Sequence, residues 1–284
     1  MAPLDSLPFM SDIQTPKSVQ DLLKMVAKYG KRALLVSGVD ASAASVPSGK
    51  VVIDLTSIEP LNEIDVKRDK ITIGTGINLG RLVRDSTGAN GLLRQAASLI
   101  ANPLVRNKVT LVEALHPESP YFDITTPLVL VDARVKLQSP GAKRALPIRD
   151  YFDAATKGLK KGEIPTALEF SPLPADVKSG FFRVARMGGK GSVSAAARMK
   201  LVRTVCKSPE IVVSSLTLIP LRVKLAEKEI VDKPASEGSI KRASQLAAEE
   251  ILAMAEKDNP YERTLIEIAV ARTLRSIMEG VVPA

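Results

Sequence analysis

The spacing of hydrophobic residues near the start of the chain predicts one helix followed by two strands. Between Ser18 and Gly30, apolar side chains recur every three or four residues, which is typical of an amphipathic helix. Ser18 has the side chain of an N-cap, and Gly30 can end the helix in a left-handed conformation. The runs ALLVS (33–37) and KVVIDL (50–55) have the length and apolar content of buried strands. This part of the chain therefore has an α/β pattern.

The middle of the chain continues with helical and extended patterns. Residues 69–86 read as a strand, a turn with two glycines and a helix. Residues 91–107 have helical spacing until a proline, where we expect the helix to stop. An apolar run followed by alternation predicts a strand within residues 127–139, and we expect residues 145–153 to be a connector that returns the chain to the core.

The last part of the chain changes from strands to helices. Residues 171–180 hold two prolines, a glycine and few apolar side chains, which favours a domain boundary. Short strands are predicted after it, including a long β-rich segment over 210–225. Residues 236–257 and 259–278 then form two amphipathic helices, the second with Asn259 as its N-cap. Strands followed by paired helices indicate an α+β domain.

The bulk composition excludes several classes of protein. The chain has 284 residues, enough for about two domains, and its 45% hydrophobic and 25% charged residues are ordinary for a globular protein. Its single cysteine, Cys206, rules out an internal disulfide and a cysteine-based iron–sulfur or zinc site, so we expect no metal in this chain. No apolar run has the length of a membrane span, and the first residues lack the order of a secretory signal, which favours a cytoplasmic location.

The charge and the remaining candidate motifs give weak functional signals. The net charge is +9, but only 4% of residues are aromatic and no zinc-finger or helix-turn-helix pattern occurs, so nucleic-acid binding is not expected. The GGKG sequence at 188–191 is not a P-loop, because Gly191 stands where Ser or Thr is required, and a hairpin connection accounts for it. His116 is the sole histidine, and we expect a solvated loop position for it.

Six segments, taken in order, form the pattern of a known family. They are PFMSDIQTPKSVQDLLKMVAKYG, LLVSGVD, VVIDLTSIEPLNEI, ITIGTGINLGRL, VRNKVTLVEALHPESPYFD and DNPYERTLIEIAVARTL. Their order and spacing resemble the FAD-binding medium subunits of molybdenum hydroxylases. That family includes the flavoprotein subunit of carbon monoxide dehydrogenase and the flavin domain of xanthine dehydrogenase. The likeness covers nearly the whole chain.

The resemblance implies a fold, a cofactor and two partners. The fold is α+β, with a two-part FAD-binding domain of the vanillyl-alcohol-oxidase/molybdenum hydroxylase type over residues 1–172, divided at about residue 56, and a small α+β domain over residues 173–284. The cofactor is FAD. The partners are a molybdopterin-containing large subunit, which would oxidise the substrate, and a two-cluster iron–sulfur small subunit. A chain of this kind relays electrons between the iron–sulfur clusters and an acceptor.

In such proteins two glycine loops hold the FAD diphosphate with backbone N–H groups, because glycine lets the backbone approach an anion closely. The positions of this chain that match those loops, the glycine turn of ITIGTGINLGRL and the end of VRNKVTLVEALHPESPYFD are the predicted FAD contacts. They are Ser37, Gly38, Val39, Asp40, Gly74, Asn78, Asn107, Thr110, Val112, Glu113 and Asp123.

The second loop, residues 107–116, departs from the family pattern. Val109, Val112 and Glu113 stand where the family has glycine, and Ala114 replaces an asparagine. Val112 is β-branched and would resist a positive φ. The Glu113 carboxylate would repel a diphosphate by an energy on the order of several kcal/mol at 4–5 Å. Two hypotheses stay open: an electron-relay subunit whose FAD is shifted away from Glu113, and a flavin-free structural subunit kept for assembly.

Overall fold

The computed structural model describes residues 13–36, 49–85, 91–117, 119–185, 192–217, 219–256 and 259–279. Its first unit, here called the N-terminal layer, is a parallel three-stranded sheet covered by one helix. The strands are β1 (Ile13–Gln14), β2 (Ala33–Val36) and β3 (Val51–Asp54), in the order β1–β3–β2, and the helix is α1 (Val19–Tyr29). These elements confirm the predicted helix and strands.

The ends of α1 follow from two residues of the sequence. The Ser18 hydroxyl accepts a hydrogen bond from the Asp21 amide at 3.1 Å, which satisfies a free donor of the first turn. Gly30 has a φ of 55°, a conformation that glycine adopts without strain, and the helix ends there. Leu22 and Leu23 of α1 are buried against Ile53 of β3, in a cluster that also contains Leu55.

The central sheet has five antiparallel strands in the order β4–β5–β8–β6–β7. They are β4 (Ile64–Val66), β5 (Ile71–Gly74), β6 (Arg134–Ser139), β7 (Ala142–Pro147) and β8 (Ile164–Phe170). The expectation of a connector at residues 145–153 was wrong, because this segment holds the end of β7 and the start of helix α7 (Ile148–Lys157). The apolar residues Ile148, Tyr151 and Phe152 recur at helical spacing and are buried, which fixes the helix.

Five short helices and one 3₁₀ turn pack on the central sheet. They are α2 (Leu79–Arg84), α3 (Gly91–Leu99), α4 (Pro103–Arg106), α5 (Leu111–Ala114), the turn Phe122–Ile124 and α6 (Thr125–Leu130). The helix that begins at Gly91 ends before Pro103, as predicted, and a second helix, α4, begins at that proline. Ala101 between them has a φ of 53°, and Asn102 caps α4 by accepting a hydrogen bond from the Val105 amide at 3.0 Å.

The C-terminal sheet is antiparallel, in the order β12–β11–β10–β9. Its strands are β9 (Val177–Ala185), β10 (Ser192–Val202), β11 (Val205–Ser214) and β12 (Leu221–Arg222), and its helices are α8 (Lys224–Ile230), α9 (Glu237–Met254) and α10 (Pro260–Glu279). Helices α9 and α10 are the two that the sequence predicts, and the Asn259 side chain caps α10 by accepting a bond from the Glu262 amide at 3.2 Å. Helix α8 was not predicted, since its start falls within the β-rich segment 210–225.

The C-terminal sheet is covered on both faces. Alternate side chains of β10 and β11 pack against the helices α8–α10. Phe181, Ala196 and Val212 instead join the core formed by the central sheet and the helices packed on it, here called the central layer. The buried Asp123 carboxylate accepts a hydrogen bond from the Arg183 guanidinium at 2.6 Å and another from the Ser192 hydroxyl. This buried ion pair joins the central layer to the C-terminal sheet.

Among the residues that the structure describes, there is no helix of the length and apolarity that crossing a membrane requires.

Gly74 ends β5 where the central sheet meets the 3₁₀ turn Glu59–Leu61. A Cβ atom at this position would lie 2.3 Å from the backbone oxygen of Leu61, so a side chain cannot fit without moving the backbone. Gly76 approaches the same oxygen and donates its amide to it at 2.8 Å. The glycines of this turn are thus explained by close packing between two segments of backbone.

We predict that Gly74→Ala lowers the free energy of unfolding by roughly 1–3 kcal/mol or more, because the added methyl group overlaps the Leu61 backbone. Gly91→Ala is the matched control, since nothing lies within 4 Å of a Cβ built there. The control is expected to leave stability unchanged or raise it by up to about 1 kcal/mol. Denaturant unfolding of the purified chain measures both, and equal stabilities would contradict this packing role.

Candidate functional site

The glycine turn at the end of β5, residues 74–77, and the second loop, residues 107–116, lie side by side. Backbone hydrogen bonds join them, including those from the Leu79 amide to Val109 at 2.9 Å and from the Leu111 amide to Ile77 at 2.9 Å. These bonds pair Asn78 with Thr110 in an isolated antiparallel bridge. The structure thus brings together predicted site residues that are far apart in the sequence.

Asn78 and Thr110 both act as helix N-caps. The Asn78 side-chain oxygen accepts a hydrogen bond from the Arg81 amide at 2.8 Å. The Thr110 hydroxyl accepts one from the Glu113 amide at 3.3 Å, and Thr110 itself is fully buried. Both side chains therefore start helices, α2 and α5.

Helix α5 directs its side chains to three different surroundings. Leu111 and Ala114, three residues apart, are fully buried in the core of the central layer. Val112 is half-buried and packs against the hydrophobic cluster of the N-terminal layer. Glu113 faces outward and is exposed. The LVEA sequence that replaces the family's loop is thus a short amphipathic turn.

The backbone donors of the glycine turn are all used within the chain. The acceptors are the carbonyl groups of neighbouring segments. The bonds run from Gly74 to Glu63 (2.9 Å), from Thr75 to Thr166 (3.2 Å), from Gly76 to Leu61 (2.8 Å) and from Ile77 to Gly74 (3.3 Å). A phosphate-binding turn needs N–H groups that point at the ligand, and these do not.

The donors of the second loop are used in the same way. The Val112 amide donates to Thr75 at 2.8 Å, across to the glycine turn. The amides of residues 111 and 113–116 bond within the loop or to Ile77. These are Leu111 to Ile77 (2.9 Å), Glu113 to the Thr110 hydroxyl (3.3 Å), Ala114 to Thr110 (2.9 Å), Leu115 to Leu111 (2.9 Å) and His116 to Glu113 (3.1 Å). The helical turn leaves this loop without the concave set of free donors that a diphosphate requires.

Glu113 adds an unfavourable charge at the same place. Partial burial of the carboxyl group among its neighbours raises its pKa by desolvation, while a hydrogen bond from the Thr110 backbone offsets part of the rise. Burial, and then the Glu113 charge, raise the pKa of the Tyr121 hydroxyl. A region that disfavours the charge of its own carboxylate also disfavours a second anion beside it.

The described part of the site therefore does not fit the diphosphate of FAD. The amides of residues 74–77 and 111–116 donate to acceptors of the chain itself, and the outward group at the centre is a carboxylate. Ser37, Gly38, Val39 and Asp40 of the first loop lie outside the described residues. Their predicted role stays a prediction.

Asn107 and Asp123 bound the second loop and have neighbours of their own. The Asn107 side-chain oxygen accepts a hydrogen bond from Arg84 at 2.9 Å and lies against Gly80, where a Cβ would be 2.2 Å from it. Asp123 is turned toward the C-terminal sheet, where it binds Arg183. Both side chains thus hold structural contacts, and their contact with FAD stays a prediction.

Several residues that shape the site were not singled out in the sequence. Thr75 is buried between two predicted contacts and accepts the Val112 amide, and Tyr121 faces Glu113. Arg183 and Ser192 hold Asp123 from 60 and 69 residues away. The position of Thr75 between Gly74 and Gly76 could have indicated that this residue belongs to the site. No local pattern reports contacts of such long range.

We predict that Glu113→Gln raises the melting temperature at neutral pH and has a smaller effect below pH 4.5, the ordinary value of this carboxyl. Because the folded-state pKa lies above the unfolded-state pKa, the unfolded chain loses this proton first as pH rises, and stability falls. The neutral amide removes that loss. Thermal unfolding at both pH values measures the effect, and an equal gain at both would contradict desolvation as its cause.

Two curated relatives match most of the chain. The xanthine dehydrogenase FAD-binding subunit of Escherichia coli O157:H7 is 23% identical over 244 residues, which cover 82% of this chain and 84% of the relative. The 6-hydroxypseudooxynicotine dehydrogenase complex subunit alpha of Paenarthrobacter nicotinovorans is 23% identical over 285 aligned positions, with 96% of each chain covered. The chain is thus similar in length and sequence to subunits of dehydrogenase complexes.

A solved structure and a family model complete the comparison. A chain of carbon monoxide dehydrogenase from Hydrogenophaga pseudoflava, in a form that lacks the Mo-pyranopterin moiety of the molybdenum cofactor, matches with a TM-score of 0.78 at 22% identity, covering 94% of this chain and 97% of that one. This likeness establishes the fold. The family model described as the FAD binding domain in molybdopterin dehydrogenase matches residues 9–172, more than half of the chain. The chain therefore belongs to the family of FAD-binding domains in molybdopterin dehydrogenases.

Proposed function

We propose that this chain is the medium subunit of a multi-subunit, molybdenum hydroxylase-like oxidoreductase. Its partners would be a molybdopterin-containing large subunit, which carries the substrate-oxidising site, and a two-cluster iron–sulfur small subunit. Support comes from the near-complete coverage of relatives that are themselves named as subunits. We further propose the division into a FAD-binding-type domain over residues 1–172 and a second domain over residues 173–284, with the boundary in the coil between β8 and β9.

Within that complex, the geometry supports a structural role without flavin. The observation that carries this proposal is the set of amides of residues 111–116, each of which donates to an acceptor of the chain itself. Glu113 strengthens it, because an anion held there would meet a carboxylate in a poorly solvated position. The subunit would then contribute its surface and its fold to the assembly.

The second candidate is electron relay between the partner's iron–sulfur clusters and an acceptor. Family membership favours it, since the matching family is defined by FAD binding. In that case the FAD diphosphate would lie away from Glu113 and would draw its donors from residues 37–40 of the first loop, which fall outside the described part of the chain. The two candidates share the same complex and differ in flavin content.

We predict that the native complex, purified through a tag on this chain, contains molybdenum and iron but far less than one FAD per copy of this subunit. Flavin is measured by absorbance and by mass spectrometry of the released cofactor, and the metals by elemental analysis. Stoichiometric FAD in a complex with intact metal centres would contradict the structural role and support electron relay. Recovery of the chain without a molybdenum-containing partner would contradict complex membership itself.

A further inference from the structure

We infer that Val112 fastens the N-terminal layer to the central layer, so that the two stay together without a bound nucleotide. Only the statement that no bound nucleotide is needed rests on the proposed flavin-free role. The fastening itself follows from what the backbone and the side chain of this one residue contact, and it assigns a role to a residue that replaces a loop glycine.

The backbone of Val112 is anchored to the central sheet through Thr75. The Val112 amide donates to the Thr75 carbonyl at 2.8 Å. Thr75 is only 1% exposed, and it is itself tied to β8, because its hydroxyl donates to Pro165 at 2.8 Å and its amide donates to Thr166 at 3.2 Å. The carbonyl that receives the Val112 amide is therefore held by the neighbouring strand.

The side chain of Val112 lies on the other side, against the N-terminal layer. It packs on a cluster of buried apolar residues contributed mainly by α1, β3 and the segment after β3, together with Ile164 of β8. The fully or nearly fully buried members from these segments are Leu22, Leu23, Ile53, Leu55, Ile58 and Leu61. Helix α5 also contacts β2, the strand that leads into the first loop. Val112 thus adds a connection between the two layers, beside the packing of Gly74 and Gly76 on Leu61.

The rest of α5 makes this connection rigid. Leu111, Ala114 and Leu115 are fully buried in the central core, so the helix cannot rotate without exposing them. The Thr110 cap fixes its first turn. A glycine at position 112 would keep the amide bond to Thr75 but would lose the whole contact with the N-terminal cluster and would loosen the turn.

The test compares Val112→Gly with Val105→Gly by hydrogen exchange on the full-length chain. Val105 is a matched control, because it is also a half-buried valine in a four-residue helix, but it packs against the central cluster. We expect Val112→Gly to speed amide exchange in β2 and β3 by roughly ten-fold, as the N-terminal layer opens more often, while β11 in the C-terminal sheet keeps its wild-type rates. Val105→Gly should leave β2 and β3 unchanged.

Two results would overturn the inference. One is wild-type exchange in β2 and β3 of the Val112→Gly chain. The other is equal acceleration in β2, β3 and β11, since that would mean general destabilisation. If Val112→Gly fails to fold, Val112→Ala replaces it, with a smaller acceleration confined to the same strands. Stoichiometric FAD in the native complex would refute the flavin-free role and still leave the fastening role to be decided by exchange.

Discussion

The hydrogen bond from the Val112 amide to the Thr75 carbonyl is the contact on which the rest of the site depends. It holds α5 against the glycine turn, and the turn is held by β8 and by Leu61. With α5 fixed in this way, Leu111 enters the central core and Glu113 faces outward. The first amides of a helix have no partner within the helix. In α5 they donate to Ile77, Thr75 and the Thr110 hydroxyl, so the contacts that orient these side chains also take up donors that an anion would need.

Folding and diphosphate binding place separate demands on this chain. The fold needs buried apolar faces, helix caps and close backbone packing, and these are present at Leu22, Thr110 and Gly74. Diphosphate binding needs free amides and a favourable charge, and the second loop has a helical turn and Glu113 instead. The described segments therefore keep the architecture of the family, while the amides of residues 111–116 donate to the chain itself.

Much of the fold could be predicted from local patterns, since the periodicity of α1, α9 and α10 and the caps Ser18 and Asn259 are local signals. The helix α7 was missed although Ile148, Tyr151 and Phe152 recur at helical spacing, and α8 was missed because its start falls within the β-rich segment 210–225. At the site, the sequence predicted that residues 109 and 112–114 depart from the family pattern. It did not predict that residues 111–114 form a helical turn. Residues far away in the chain stabilise the helical turn at residues 111–114 and form the cluster that Val112 contacts. Short-range sequence spacing cannot predict such contacts.

The most direct measurement is a high-resolution cryo-EM structure of the native complex prepared with excess FAD. We predict that residues 110–116 keep the helical turn, with the Val112 amide on Thr75, and that no diphosphate density contacts this loop. Density for a diphosphate within hydrogen-bond distance of the Val112 or Glu113 amide would contradict the central claim that the chain's own atoms have closed this site.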